Sequence, residues 1–313
     1  MLEFWYRLID RHGKKKVVFL TYLTLVALLA LWFRLLLGFE LYHSAMLYIL
    51  VPYVVSVLIT FFRSYKTPTT KLKKFFSHIL TATTILFSTS ILVGEGFICI
   101  LFFTPIYLII VCITYLGAAL FTGKGHKYSS ALPVIVLLVS LEGTTASLSL
   151  PRDTSVVVNR STSLSVEQIK ENLAKPFDLN KDRNWLISVF PMPYHIDAGS
   201  LKEGDVHTVY TRYHRWFVTN THEGKAELLI EHVGENKIKT RVLSDSTYFS
   251  TYLSGSGTEI ELIPNAAGGT DISLRLNYRR NLDPAWYFHP LQKYGVTKTG
   301  ELLIKEIMVR ENI

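Results

Sequence analysis

"TDISLRLNYRR" (270–280) decides how the second half of this chain is built. Ile272, Leu274, Leu276 and Tyr278 alternate with Ser273, Arg275 and Asn277. A strand sends successive side chains to opposite faces, so this period of two lays one apolar row on a core and one polar row in water. "GTEIELIPN" (257–265) repeats the pattern more briefly. Further strands are predicted in "TSVVVNRST" (154–162), "DVHTVYTRYHRWFV" (205–218), "GKAELLIEHV" (224–233), "NKIKTRVLS" (236–244) and "TYFSTYLSG" (247–255). The breaks "HEG", "GEN", "SGSG" and "NAAGG" predict hairpin loops between them.

Helical patterns flank the strands. "SLSVEQIKENLA" (163–174) opens on Ser, carries an early acid and places Val166, Ile169 and Leu173 at helical spacing. "KDRNWLISVF" (181–190) reads as a second short helix, stopped by "PMP". After the last strand, Asp283 and Pro284 form a helix start, with Asp as N-cap and Pro at the first helical position. Pro290 and Gly295 predict a short segment "PAWYFH", a kink, and a longer helix from about Thr297.

The first half is of a different composition. Long apolar runs fill 17–39, 45–62, 78–93, 97–121 and 131–148. A bilayer core about 30 Å thick needs roughly 20 apolar residues per helix, so the runs predict an all-α bundle of about five transmembrane spans over residues 1–150. Residues 1–150 carry 13 Lys/Arg against 5 Asp/Glu, while residues 151–313 carry 20 of each. The basic balance therefore belongs to the apolar half, and the second half has no basic footprint for nucleic acid. Bases gather before the first run, in "RSYKTPTTKLKK" (63–74) and in "GKGHK" (123–127), whereas the alternate loops hold Glu40, Glu95 and Glu142. The positive-inside rule then puts the N-terminus in the cytoplasm and, with five spans, the soluble half outside an inner or plasma membrane. With four spans that half is cytoplasmic.

The order strand, two helices, six antiparallel strands and a terminal helix resembles the START-like helix-grip superfamily (SRPBCC), which includes polyketide cyclase-like and lipid-transfer proteins. "NWLISVFPMP" is similar to that family's Trp-then-Pro segment, and "GSLKEGDVHTVY" to its glycine-bearing lead into the second strand. The resemblance covers residues 152–310. It implies an α+β fold, with a curved antiparallel sheet wrapping a C-terminal helix around an apolar cavity. It also implies a hydrophobic ligand, lipid being the first expectation for a domain tied to membrane helices.

Candidate ligand-binding residues are the strand aromatics Tyr213, Trp216, Tyr248 and Tyr252, the pair Arg279 and Arg280 for an anionic head group, and Trp286 as an aromatic anchor. Core packing and a solvated strand end are the plainer readings of the same residues. An enzymatic alternative, cyclase-like or hydrolytic on a lipid-like substrate, would use Asp283, Tyr287 or His289 as acid or base. A third alternative is a structural subunit among partner membrane proteins. No nucleophile elbow, phosphate loop, zinc signature or cofactor motif occurs. His207 and His214 lie an odd number of residues apart on one strand and point to opposite faces, so no metal site is predicted. Cys99 and Cys112 both fall in the fourth apolar run, which leaves the soluble half without thiols.

Overall fold

A computed structural model of the chain describes residues 10, 17, 32, 35, 41–62, 70–93, 97–121, 131–178, 193–216 and 219–309. The chain divides into two compact units, Met1–Leu148 and Ser149–Ile313.

The first unit is helical. A π-helical turn Met46–Leu50 leads into α1 (Val51–Phe62), followed by α2 (Lys71–Val93), α3 (Phe97–Phe121) and α4 (Ala131–Ser140). Val55 and Ile59 of α1 pack with Ala82, Ile85 and Leu86 of α2 and with Tyr107 and Val111 of α3. Polar links cross this apolar seam. Ser56 Oγ lies 2.9 Å from His78 Nε2 and 3.3 Å from the Val111 carbonyl, and the Tyr107 hydroxyl donates to the Ala82 carbonyl at 2.8 Å. The threonines of α2 do not bridge helices in this way. Thr81, Thr83, Thr84 and Thr89 each donate to the carbonyl four residues back in their own helix, which satisfies a hydroxyl in apolar surroundings. On the outside, Leu80, Ile113, Ile135 and Leu138 are more than half exposed.

Among the described residues one helix is long and apolar enough to cross a bilayer, over Cys99–Ala118, with mean hydropathy 2.4. One such helix does not establish a five-span bundle, and the described helix of the fifth run is shorter than a span. There the helix stops at Ser140 after ten residues, about 15 Å at 1.5 Å per residue and half the depth of a bilayer core. The cause is local. Gly143 takes a φ of 84°, and the hydroxyls of Ser140 and Thr144 bond the carbonyls of Leu137 and Leu141. The third run is longer than expected, since α2 starts at Lys71. Of the first run only residues 17, 32 and 35 are described, so the helix expected there lies outside the described residues.

The second unit contains β1 (Asp153–Thr162), α5 (Val166–Leu173), β2 (Phe177–Asp178), β3 (Pro193–Asp197), β4 (Val206–Trp216), β5 (Thr219–Val233), β6 (Lys237–Asp245), β7 (Leu253–Pro264), β8 (Thr270–Arg280) and α6 (Ala285–Val309). The eight strands among the described residues form one antiparallel sheet in the order β1-β8-β7-β6-β5-β4-β3-β2. β8 behaves as its alternation predicts: Thr270, Ile272, Leu274, Leu276 and Tyr278 are buried and the residues between them are not. α5 opens with a capping box in which Ser165 and Gln168 satisfy each other's backbone N–H. α6 packs on β1 and β8 and sends Leu302, Ile304 and Ile307 into a core shared with Val156, Val158, Ile238, Ile260 and Leu274. A curved antiparallel sheet gripping a C-terminal helix is the helix-grip arrangement that the order of elements implied.

Three local expectations are corrected. "TYFSTYLSG" is not a strand: Tyr248–Thr251 is a 3-10 turn, and β7 begins only at Leu253. "SGSG" is not a hairpin loop but part of β7, where a bulge between Gly255 and Gly257 shifts the register. Gly257 has a φ of 150°, and a Cβ there would sit 2.1 Å from the Thr240 carbonyl, so only glycine fits. "HEG" is likewise internal to β5. Finally, α6 is one helix and carries Pro290 inside it. Phe288 is buried on one side of that proline, and Gln292 on the other bonds the Tyr252 carbonyl, so tertiary contacts hold the helix across it. The helix expected at 181–190 falls outside the described residues.

Two glycines of α6 separate packing from propensity. A Cβ on Gly300 would meet Val158 Cγ2 at 2.9 Å and Leu276 Cδ1 at 3.1 Å, whereas Gly295 has nothing within 4 Å. Gly300→Leu should lower stability by about 1–3 kcal/mol. Gly295→Ala should raise it by up to about 1 kcal/mol. Urea denaturation of the full chain followed by tryptophan fluorescence measures both, and equal effects at the two positions would contradict the packing described.

Candidate functional site

The inward row of β4 is His207, Val209, Thr211 and Tyr213, all buried. Register sets Tyr213 opposite His222 and Thr211 opposite Gly224 on β5. Tyr213 stacks on Tyr248 with ring centroids 4.5 Å apart at 29°. Tyr252 lies 5.5 Å from Tyr248, and their hydroxyls are 3.2 Å apart. His222 completes the group, 5.8 Å from Tyr248. Tyr248 opens the 3-10 turn and Tyr252 is its C-cap, so the compact turn keeps near each other two rings that an extended segment would separate.

This turn is tied to the corner between β8 and α6. Asn281 N–H and Gln292 Nε2 both donate to the Tyr252 carbonyl, at 3.1 and 3.0 Å. Asn281 Nδ2 also donates to the Ser250 carbonyl at 2.9 Å and to Ser254 Oγ at 2.8 Å. Gln292 Oε1 is buried and accepts no hydrogen bond. The aromatic group and the start of α6 are therefore held as one piece, with the Gln292 amide oxygen left over on the side chain that reaches the Tyr252 backbone.

The corner itself is ionic. Arg280 continues the inward row of β8, and its side chain is 1% exposed. It pairs with the fully buried carboxylate of Asp283 and donates to the carbonyls of Leu282 and Leu150. The other carboxylate oxygen of Asp283 accepts from Arg152 at 2.5 Å. Arg279 points the opposite way, 54% exposed and 3.8 Å from Asp153. Tyr278, one step back on the inward row, has its hydroxyl pushed above the usual tyrosine range by burial, with Thr154 and the Arg280 charge pulling partly against it.

Of the residues singled out in sequence, the fold brings Tyr213, Tyr248 and Tyr252 together, and separately Arg280 and Asp283. It divides Arg279 from Arg280, so the arginine pair is not one head-group site. It also corrects the solvated reading of Arg280, and the N-cap reading of Asp283, whose two oxygens both go to arginines. Both oxygens of the Asp283 carboxylate are engaged within the ionic corner. Trp286 is 51% exposed and meets Tyr287 edge-on. Tyr287 and His289 are half-buried. The side chain of Trp216 lies outside the described residues. Arg152, Asn281 and Gln292 escaped the sequence reading because each acts through a carbonyl or carboxylate distant in the chain. His78 escaped too, although a histidine at helical spacing within an apolar run was a usable signal.

Two further histidines have local partners. His207 Nε2 lies 2.6 Å from the Ser200 carbonyl, and His232 Nδ1 lies 2.8 Å from Glu203. The Val233 N–H first, and His232 next, hold the Glu203 carboxyl below its ordinary range. Among the described residues no cluster of His, Cys, Asp and Glu is arranged to hold a metal.

No family model and no curated protein matches the sequence. Solved structures match its C-terminal half, and the N-terminal region has no match. A START superfamily protein from Mycobacterium smegmatis is 14% identical over 51% of this chain and 96% of its own, with a TM-score of 0.32. The Zhui aromatase/cyclase from a Streptomyces species is 12% identical over 50% and 92%, with a TM-score of 0.33. A norcoclaurine synthase from Thalictrum is 14% identical over 50% and 92%, with a TM-score of 0.31.

Removing the charge of Asp283 tests the corner. Asp283→Asn should destabilise the protein by about 3–5 kcal/mol, because it leaves Arg280 buried without a counter-ion. The double change Arg280→Met with Asp283→Leu should recover most of that loss. Tyr287→Phe and His289→Gln, at half-buried positions, should each cost less than about 1 kcal/mol. Thermal unfolding of the four variants gives the comparison.

Proposed function

We propose that this chain is an integral membrane protein whose second unit binds a hydrophobic ligand, of lipid class, against the inward face of its sheet. The observation that carries the reading is the group Tyr213, Tyr248, Tyr252 and His222, held on that face, with the unpartnered Gln292 Oε1 on the side chain that reaches the Tyr252 backbone. Aromatic faces contribute apolar contact with little conformational freedom to lose, and the amide oxygen would orient a ligand hydroxyl or N–H. The exposed Trp286 would rest at a membrane interface, where amphipathic rings are favoured. Membrane residence is supported by the Cys99–Ala118 helix and by the exposed apolar side chains of α2, α3 and α4. Lys71, Lys73 and Lys74 at the start of α2 mark that end as cytoplasmic by the positive-inside rule. With the fifth run counted as a crossing, the N-terminus is cytoplasmic and the second unit extracytoplasmic; with four crossings the second unit is cytoplasmic, and the labelling below separates the two.

Native mass spectrometry of the detergent-purified chain should release a bound lipid. Tyr248→Ala should weaken its retention about tenfold, equivalent to about 1.4 kcal/mol. Loss of the aromatic group without any change in bound ligand would remove the basis of the proposal. For topology, Lys202→Cys should react with a membrane-impermeant maleimide added outside intact cells; labelling only after lysis would reverse the orientation.

A further inference from the structure

β1 lies at one edge of the sheet and β2 at the other. β2 is two residues long, too short to template another chain. β1 is ten residues long, contains no proline or lysine, and pairs with β8 without a bulge. The Arg280 N–H donates to the Arg152 carbonyl at 2.9 Å, which makes Asp153 and Arg279 a non-hydrogen-bonded pair. Parity then turns the N–H and C=O groups of Asp153, Ser155, Val157, Asn159 and Ser161 away from β8. Each of these residues is exposed, and among the described residues nothing bonds those backbone groups. Folded β1 thus presents an unbroken ladder edge of the kind that proteins ordinarily cover or interrupt.

We propose that this edge pairs antiparallel with β1 of a second copy of the chain, across a twofold axis at Val157. Such a contact is isologous, so each residue meets its counterpart across the axis. Ser155 meets Asn159, Asp153 meets Ser161, and Val157, 44% exposed in the single chain, meets itself. About ten backbone hydrogen bonds then close, as many as a standard interface carries. No like charges are opposed in this register. Arg160, the charge on the inward row, meets Thr154, and Asp153, the charge on the outward row, meets a hydroxyl. Other registers are worse: an axis at Val156 sets Arg152 against Arg160, an axis at Val158 lays Arg160 on Val156, and an axis at Asn159 brings the two Arg160 side chains onto diagonal positions. A foreign segment would need this same order of polar and apolar residues, which a second copy has by construction. The contact is independent of the tyrosine group and stands or falls apart from it.

Cysteine cross-linking of the full chain in detergent, with Cys99→Ser and Cys112→Ser as background, reads the register. Under mild oxidation Val157→Cys should form a disulfide-linked dimer about fivefold or more faster than Ser155→Cys or Asn159→Cys alone, whose copies lie too far apart to bridge. Mixing Ser155→Cys with Asn159→Cys should restore the fast rate. Leu243→Cys, on β6 and 47% exposed in the parent, should stay slow. Two further variants act on the edge itself. Asn159→Pro removes only an outward N–H, which an edge strand tolerates, and Val157→Lys sets two cations on the axis. Each should raise the dimer dissociation constant about tenfold or more in sedimentation velocity, with the circular dichroism of the parent retained. A chain that is monomeric at every concentration overturns the proposal. So does a dimer that persists in both variants, cross-linking as fast at Leu243→Cys, or native mass spectrometry that finds a different polypeptide on the edge.

Discussion

The carboxylate of Asp283 holds two guanidinium groups that come from opposite ends of the second unit, Arg280 at the end of β8 and Arg152 just before β1. Taking such ions out of water costs several kcal/mol each, and only close pairing with full use of the remaining donors offsets it. Arg280 meets part of that demand by also reaching the carbonyls of Leu282 and Leu150, while its Nε and that of Arg152 stay buried without an acceptor. One cluster therefore fixes where the chain enters the unit, how β1 sits against β8, and where α6 begins. The tyrosine group inherits this order, because Asn281 and Gln292, on either side of the helix start, both hold the Tyr252 carbonyl. Replacing the ions with apolar groups could retain the fold, but a single unmatched charge would be disruptive at every one of these junctions.

The strands of the second unit were legible wherever alternation was clean. β8 is the best case, and carrying its parity two residues beyond Tyr278 would have placed Arg280 inside and Arg279 outside. The rule failed where backbone geometry, not side-chain pattern, made the decision. "TYFSTYLSG" has the aromatic content of a strand, yet closes a 3-10 turn because Asn281 and Gln292 capture its carbonyls. "SGSG" looks like a loop, yet continues β7 because Gly257 admits a bulge against Thr240. Pro290 looks like a break, yet α6 runs through it since packing on both sides outweighs one lost hydrogen bond. The tyrosines could be named in advance, but not their meeting, which depends on a partner strand and on a corner that comes thirty or so residues later.

In the first unit, composition revealed the helices and concealed their ends. Apolar runs continue past Ser140, whereas hydroxyl-to-carbonyl bonds and the positive φ of Gly143 stop the helix. The polar residues inside the bundle divide into two kinds. Threonines that bond their own helix are neutral toward neighbours, while Ser56 and His78 join α1 to α2 across an apolar seam. Such a pair, costly to separate in a medium without water, gives two helices a fixed register that leucine and isoleucine contacts alone would leave free to slide.

The pairing of β1 with β8 also bears on how the chain is made. Asp153 pairs with Arg279 and Thr162 with Thr270, so the first strand of the unit has no ladder partner until the last strand exists. During synthesis β1 therefore leaves the ribosome with both edges open, and its valines stay uncovered while more than a hundred residues follow. Contacts this distant in sequence form slowly, and open strand edges invite wrong partners. The order of the strands thus makes nascent β1 the segment most in need of a chaperone's protection.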